Sequence, residues 1–422
     1  MTLRQNDYSA VVLSGGGAHG AYEVGVLTAL MTGASWTTGN RPLAPDVVTG
    51  TSIGAYNAAV LVSRLEADDP PATIRYLADV WRSLVPPDGD GMHNRVLRLR
   101  AVPPRGALAR PVRTAAQFGA DALFFTQDWL SRGADWWTTS PTVQGLLGEV
   151  DLSTAISREP TRQLVRDTVS LAALRQSRRA LFIATTNWRT GQLQYFRNAD
   201  MTDEQGADVV MASSALPGIF EPVRIGGDPY VDGGLAMNTP LGPAFVEFQP
   251  GADTAHVIYL DPETADIPVQ PLRSTVGILD RMITIGLALT VESDMRIADH
   301  VNRGLQYLDK AKAGQRPGAE DARTMIESVA YLVDGIGGRT PDSPKTIHRY
   351  RPSRYLGGMW TLLDFSRATI EELIELGYRD VMNHDCVKSK CVLPTGMQGG
   401  AGPVRAGGAQ RVGGVAELVA AR

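Results

Sequence analysis

The first part of the chain contains one local pattern twice: a short apolar strand, a glycine-rich turn and an apolar helix. The first copy comprises a strand at Ser9–Leu13, a turn at 14–20 and a helix at 21–31. The second comprises a strand at 46–48, a turn at 50–54 and a helix at 55–65. Strands that alternate with helices in this way are typical of α/β folds with a parallel or mixed sheet. The pattern therefore predicts a central, mostly parallel sheet that is flanked by helices.

Length and charge exclude some classes of protein. A chain of 422 residues suggests two or three domains. The net charge of −4 argues against a general nucleic-acid binder, which needs a basic excess. No apolar run is long enough to cross a bilayer, and the polar N-terminus lacks the apolar core of a signal peptide. We therefore expect a cytoplasmic protein.

The two cysteines, Cys386 and Cys391, are too few for a disulfide framework. A zinc site needs about four ligands, and along the sequence only His384 lies near these cysteines. We expect reduced thiols, no bound metal and no cofactor.

The rest of the chain is less regular. Strand patterns return at 181–186, 192–196 and 256–260, and an amphipathic helix is predicted at 366–385, with a capping box formed by Thr369 and Glu372. An Arg-rich and aromatic segment at about 85–140 is interpreted as a helical insert, with a membrane-facing lid as the alternative. The apolar segment 282–289 is interpreted as part of the core, with an acyl-chain tunnel as the alternative. The Gly-rich composition of 392–422 predicts a flexible tail.

The glycine turn of the first copy has the spacing G-x-G-x-x-G from Gly15 to Gly20. Backbone N–H groups and a helix N-terminus present positive charge there, which suits either a pyrophosphate or the oxyanion of an acyl transfer. A dinucleotide site also requires an acidic residue about 20 residues later. The chain has Asn40 at that distance.

The turn of the second copy, Gly50-Thr-Ser52-Ile-Gly54, has the pattern of a nucleophile elbow. Its glycines permit the sharp turn that exposes the serine hydroxyl, and the N–H of Ile53 would face an oxyanion. A serine nucleophile needs a base. Asp232, held on the turn Asp-Gly233-Gly234, offers a carboxylate without neighbouring cations.

The three motifs occur in the order and spacing of a known family. Gly-Gly-Gly-Ala-His-Gly, Gly-Thr-Ser-Ile-Gly and Asp-Gly-Gly resemble the patatin-like phospholipases, and further similar blocks extend the resemblance over about residues 8–385. The resemblance implies a three-layer fold related to the α/β hydrolases. It also implies one domain at 8–391 that includes the insert, instead of two or three domains.

The resemblance further implies a site and an activity. The catalytic pair would be Ser52 and Asp232, and the oxyanion donors would be Gly15, Gly16, Gly17 and Ile53, with motif support from Gly20, Gly50, Gly54, Gly233 and Gly234. The activity would be that of a carboxylic ester hydrolase of the phospholipase A, lysophospholipase or esterase type. It would act on phospholipids or other acyl-ester lipids with peripheral membrane contact, and without a metal or nucleic acid. His19 departs from the family, which usually has Arg or Lys at this position.

Two alternatives remain open. A conventional Ser–His–Asp esterase would use a downstream histidine, and the candidates are His300, His348 and His384, with Asp261 as the orienting residue. A non-catalytic lipid- or nucleotide-binding module would use the glycine turns without turnover. Lipid preference, oligomeric state and the balance of hydrolysis and acyl transfer are not specified by the sequence.

Overall fold

The computed structural model describes residues 8–65, 68–85, 159–217, 219–246, 253–260 and 345–393, with residues 96, 98–99, 156–157 and isolated positions between 278 and 314. Most of the predicted insert at 85–140, and the predicted tail apart from residues 392 and 393, lie outside the described residues. Within the described residues, every helix is too short or too polar to span a lipid bilayer.

The described strands are β1 (Ser9–Leu13), β2 (Val47–Thr51), β3 (Arg98–Leu99), β4 (Ile156–Ser157), β5 (Ala180–Asn187), β6 (Leu193–Arg197), β7 (Val223–Ile225), β8 (Asp228–Asp232), β9 (Thr254–Ile258) and β10 (Thr346–Tyr350). The described helices are α1 (Gly20–Met31), α2 (Ile53–Arg64), α3 (Pro70–Arg82), α4 (Glu159–Thr168), α5 (Leu171–Gln176), α6 (Asp203–Ser213), α7 (Gly242–Val246) and α8 (Arg367–Met382). The first two strand–helix units, β1 with α1 and β2 with α2, are those that the sequence predicts.

Eight strands form one mixed sheet in the order β10-β9-β1-β2-β5-β8-β7, with β6 also paired to β5. The five strands from β10 to β5 are parallel, whereas β6, β7 and β8 pair antiparallel. The short strands β3 and β4 pair separately. The predicted α/β class with a mostly parallel sheet is confirmed.

Strand β1 shows why both faces of this sheet are covered. Its side chains alternate between two buried clusters: Val11 and Leu13 pack with α1 and α2, and Ala10 and Val12 pack with α7. All five of its residues are apolar or small, as expected for a parallel strand that is buried on both faces. The result is a layered arrangement of helices, sheet and helix.

Helix α1 is buried along its whole length because α8 covers the side that faces away from the sheet. The two helix backbones meet at glycines. A Cβ on Gly25 would lie 2.0 Å from the carbonyl oxygen of Ile374, and a Cβ on Gly377 would lie 2.2 Å from that of Tyr22. This close approach fixes α8 over the helix that begins at the glycine turn.

Helix α8 differs in detail from its prediction. It begins after Ser366, whose hydroxyl accepts the N–H of Thr369, so the predicted capping box of Thr369 and Glu372 is wrong. Glu372 forms an exposed ion pair with Arg354 instead. The helix ends at Met382 instead of continuing to residue 385, and Met382 is 43% exposed.

Candidate active site

Ser52 lies at the sharp turn between β2 and α2, with φ 54° and ψ −122°. A positive φ is rare for a residue with a side chain and indicates a constrained backbone. The two motif glycines are required by close backbone contacts, with the turn itself at Gly50 and with the end of β1 at Gly54. A Cβ on Gly50 would lie 2.4 Å from the carbonyl oxygen of Gly54, and a Cβ on Gly54 would lie 2.7 Å from those of Leu13 and Ser14.

A second serine holds this turn in place. The backbone N–H of Ser52 donates to Oγ of Ser213 at 2.9 Å, and that hydroxyl donates to the carbonyl oxygen of Ala184 at 2.7 Å. Ser213 is fully buried at the end of α6. The side chain of Ser52 makes no capping bond to α2 and lies near enough to Asp232 to lower the pKa of that carboxyl group.

Asp232 is the last residue of β8 and is 5% exposed. Burial raises the pKa of its carboxyl group to about 6, although a hydrogen bond from the Gly234 N–H, at 2.8 Å, and the neighbouring Ser52 side chain act in the opposite direction. A Cβ on Gly233 would lie 2.3 Å from the carbonyl oxygen of Ala184, so this position needs glycine. The result is a buried base whose pKa lies close to neutral pH.

Gly15 has a different role from the one predicted for it. Its N–H donates to both the backbone oxygen and Oδ1 of Asn238, each at 3.2 Å, so it is not free to bind an oxyanion. The Asn238 amide returns a hydrogen bond to the Gly15 carbonyl at 3.3 Å. A Cβ on Gly15 would lie 2.5 Å from Oδ1 of Asn238. Gly15 thus fastens the glycine loop to the segment after Asp232.

Three other N–H groups lie in the glycine loop and at the start of α2. Among the described residues, none accepts a hydrogen bond from the N–H of Gly16, Gly17 or Ile53. Gly17 has φ +54°, and a Cβ there would lie 2.3 Å from the carbonyl oxygen of Leu362. A Cβ on Gly20 would lie 2.6 Å from the Ile53 side chain, so glycine lets the starts of α1 and α2 approach each other. These N–H groups can supply the charge stabilisation that an acyl-transfer oxyanion needs.

His19 is neutral and structural in this arrangement. It is 3% exposed, and burial lowers the pKa of its imidazole to about 4 even though Asp364 opposes the shift. Its Nε2 lies 3.0 Å from Oγ1 of Thr361, whose own proton goes to the carbonyl oxygen of Gly358 at 2.6 Å. Since Thr361 has one hydroxyl proton, His19 must donate from Nε2. The His19 ring therefore links the glycine loop to the segment of Thr361 and Leu362, the second of which contacts Gly17.

A cavity of about 550 Å³ opens over Ser52 and Asp232. Most of its lining is apolar and includes Trp81, Leu164, Met211, Phe220, Leu363 and Phe365. Leu235 and Met282 also line it and are 56% and 63% exposed, so they lie at its open side. An apolar cavity of this size with a few polar groups is typical of a site for an apolar ligand.

The histidines proposed for a Ser–His–Asp site are placed elsewhere or not described. His348 lies on edge strand β10 and His384 lies after α8, and neither lines the cavity. His300 and Asp261 lie outside the described residues. His348 and His384 instead meet Cys386 and Cys391, with one ligand atom from each of the four within 4.8 Å of the others. The expectation of no bound metal rests on His384 as the one histidine near the cysteines in sequence. His348 is distant in sequence and reaches them only in the folded chain.

Sequence reasoning missed several residues of the site. Ser213 carries no motif, and only its place at the end of α6 brings it to Ser52. Met282 and Gly286 belong to the apolar segment interpreted as core, and both line the cavity. Asn238 lies in the segment after Asp232, and its contact with Gly15 is a property of the tertiary structure.

Comparison with known proteins shows the family of the chain. The model of the patatin-like phospholipase family matches residues 11–245, which is more than half of the chain. Among solved structures, VipD from Legionella pneumophila is similar with 16% sequence identity and a TM-score of 0.35, over 89% of this chain and 66% of VipD. No curated protein matches the chain. The chain belongs to the patatin-like phospholipase family.

Proposed function

We propose that this chain is a serine lipid acyl hydrolase that cleaves fatty-acyl esters through a Ser52–Asp232 dyad and an acyl-enzyme intermediate. The observation that carries the proposal is that Ser52 and the buried carboxyl group of Asp232 line the same apolar cavity, where the Ser52 side chain is near enough to lower the pKa of Asp232. A nucleophile that lies beside its base can lose its proton as it attacks.

In the first half of the reaction, Oγ of Ser52 attacks the ester carbonyl carbon while its proton passes to Asp232. The N–H groups of Gly16, Gly17 and Ile53 stabilise the resulting oxyanion. The intermediate then collapses, the ester bond to the alcohol breaks, and Asp232 returns the proton to the leaving alcohol. The acyl group remains bound to Ser52.

In the second half, Asp232 takes a proton from a water molecule, which attacks the acyl-enzyme carbonyl. Collapse of this second intermediate returns the proton to Oγ of Ser52 and releases the fatty acid. The elevated pKa of Asp232 favours both directions of transfer, because a base whose pKa lies near the working pH can accept and return a proton.

The substrate is inferred to be a lipid because the cavity offers room and apolar contacts for an acyl chain, whereas it has few polar groups besides the dyad. The exposed Leu235 and Met282 at its open side suit contact with a membrane surface that presents the ester. We further propose that residues 8–391 form one catalytic domain and that the following residues form a tail.

Labelling with a fluorophosphonate, together with hydrolysis of a p-nitrophenyl ester and of phospholipid vesicles, tests the dyad. Wild type should label and turn over both substrates, Ser52→Ala should do neither, and Asp232→Asn should lose most of its turnover. His300→Ala should behave like wild type. Full activity of Asp232→Asn, or loss of activity in a folded His300→Ala, would support the Ser–His–Asp alternative. A wild type that neither labels nor hydrolyses would support a binding module.

A further inference from the structure

A second group of chemically reactive side chains lies at the other end of the sheet from Asp232. His348 comes from β10, the edge strand, and His384, Cys386 and Cys391 come from the turn after α8. We call these four residues the Cys–His cluster. Both histidines are buried, at 6% and 4% exposure, and both cysteines are partly buried free thiols. The proposed hydrolase mechanism uses none of them.

The distances in the cluster match those between ligands of a tetrahedral metal ion. Sγ of Cys386 lies 3.5 Å from Nδ1 of His348 and 3.6 Å from Nε2 of His384, and Sγ of Cys391 lies 3.3 Å from the same Nε2. In a tetrahedral zinc site with Zn–S of about 2.3 Å and Zn–N of about 2.0–2.1 Å, sulfur and nitrogen ligands lie about 3.5 Å apart. All four ligand atoms lie within 4.8 Å of one another, so they surround one point.

The backbone of the turn presents both thiols to that point. The Asp385 carboxylate accepts the N–H groups of Val387 and Lys388, and Lys390 has φ 53°. The N–H of Cys391 then donates to the carbonyl oxygen of Cys386 at 2.8 Å, which closes the turn. Four residues separate the cysteines, a spacing that structural zinc sites use.

A further shell of contacts orients the ligands. Oγ of Ser389 lies 3.3 Å from Nδ1 of His384, which leaves Nε2 of that ring directed at the thiols. The N–H of Arg349 donates to Sγ of Cys391 at 3.3 Å, a contact that favours a thiolate. Such outer contacts are typical of metal-ligating histidines and cysteines.

We propose that the Cys–His cluster binds one Zn²⁺ ion as a structural site. Two thiolates and two neutral imidazoles balance the charge of a divalent cation, and this ligand set in tetrahedral geometry favours zinc. All four positions are filled by protein atoms, so no position is left for water or substrate, as in structural sites rather than catalytic ones.

The position of the ion suggests what it stabilises. Val392, next to Cys391, exchanges two backbone hydrogen bonds with Ile347, next to His348. The ion would therefore fasten the chain after α8 to β10, the edge strand of the sheet. It would also hold the C-terminal end of α8, the helix that covers α1.

Metal analysis of the full chain tests the proposal. The protein is purified with intact thiols and without a polyhistidine tag, and its zinc content is measured. We expect about one zinc per chain, and replacement by Co²⁺ should give the intense visible bands and thiolate charge-transfer bands of a tetrahedral cobalt–thiolate site. Cys386→Ser and Cys391→Ser should lose the metal. His256→Gln is the matched control, since His256 stacks on His348 at 5.3 Å between ring centroids but is not a ligand.

A variant that lacks a ligand can fail to fold. The cobalt spectrum of the wild-type protein therefore tests metal binding without any variant. A chain with reduced thiols and added Zn²⁺ that binds none, or a cobalt form without thiolate bands, would overturn the proposal. A Cys386–Cys391 disulfide that persists in reductant would also overturn it. Removal of zinc by a chelator should lower the melting temperature, and added Zn²⁺ should restore it. These readouts do not depend on the hydrolase activity.

Discussion

Ser52 and Asp232 meet because their strands end against consecutive residues of β5. Thr51, the last residue of β2, pairs with Ala184, and Asp232, the last residue of β8, pairs with Thr185. β2 and β6 both pair with residues 182–184, so they occupy opposite edges of β5. β6 and β8 both pair with residues 185 and 186, so they also lie on opposite edges of β5. β8 therefore lies along the same edge of β5 as β2. The parallel β2 and the antiparallel β8 therefore run toward each other and end at the site.

The elevated pKa of Asp232 predicts how activity depends on pH. The base acts only when it is ionised, so kcat/KM for a short soluble ester should rise about tenfold per pH unit in acid and level off above about pH 6. The measurement is a pH–rate profile on the free enzyme, with circular dichroism at each pH as the control for folding. A plateau that continues unchanged down to about pH 4 would contradict this assignment.

Because the Asp232 carboxyl group is buried, we expect Asp232→Asn to stabilise the protein and to remove its activity. The folded pKa of about 6 lies above the ordinary aspartate value of 3.8, so the carboxyl group contributes most to stability below pH 3.8, and this contribution is lost as pH rises through 6. At about pH 8 the ionised form costs up to about 3 kcal/mol. The free energy of unfolding of the variant should exceed that of wild type at about pH 8, and the difference should shrink toward about pH 4. A constant difference over this range would argue against the linkage.

Gly17→Ala should lower kcat about 100-fold or more, because the new Cβ would lie 2.3 Å from the Leu362 carbonyl oxygen and displace the oxyanion loop. Gly39→Ala is a matched control, since Gly39 has a similar φ of +64° but no atom within 4 Å of its Cβ position. Both variants pay a backbone cost of about 1–2 kcal/mol, but only the first should lose turnover. Equal losses of kcat would show that strain alone explains the effect.

Ser213→Ala should lower kcat about tenfold to 100-fold, because the Ser52 N–H loses the acceptor that holds the elbow in place. Ser63→Ala is the control: Ser63 is also buried and also donates to a backbone carbonyl, that of Val60, but within α2. Steady-state kinetics on a soluble ester and thermal unfolding of both variants separate the two effects. A Ser213→Ala variant with wild-type kcat would exclude this positioning role.

Leu235→Ser should reduce hydrolysis of phospholipid vesicles several-fold while hydrolysis of a soluble short ester changes little. Leu235 is 56% exposed and lies at the open side of the cavity, where an apolar side chain can enter a lipid surface. Met382→Ser is the control, since Met382 is 43% exposed but lies away from the cavity. Equal loss on both substrates would indicate a change in the cavity and not in membrane contact.

Parts of the site follow from short sequence motifs because single positions in them admit only glycine. The elbow needs Gly50 and Gly54 since backbone atoms of the same turn and of β1 approach within van der Waals contact. Gly233 beside Asp232 is required because the Ala184 carbonyl oxygen of β5 would lie 2.3 Å from its Cβ. Steric restrictions of this kind limit the residue type at each position, so the motif glycines can be recognised in the sequence without knowledge of the fold.

Residues that act through distant contacts could not be predicted in this way. Whether the Gly15 N–H faces an oxyanion or Asn238 depends on where the segment after β8 crosses the loop. The neutral state of His19 depends on burial against Thr361. His348 reaches the two cysteines only because β10 is the edge strand beside which the chain returns at Val392.

The sequence by itself determined the α/β class, the two glycine turns and the identity of the serine and aspartate, because these depend on local periodicity and on steric limits at single positions. The tertiary structure decided which N–H groups stay free, which serine supports the elbow, and that four metal-ligating side chains meet at the sheet edge. These depend on strand order and helix packing, which arise from burial summed over the whole chain and are not encoded in any short segment.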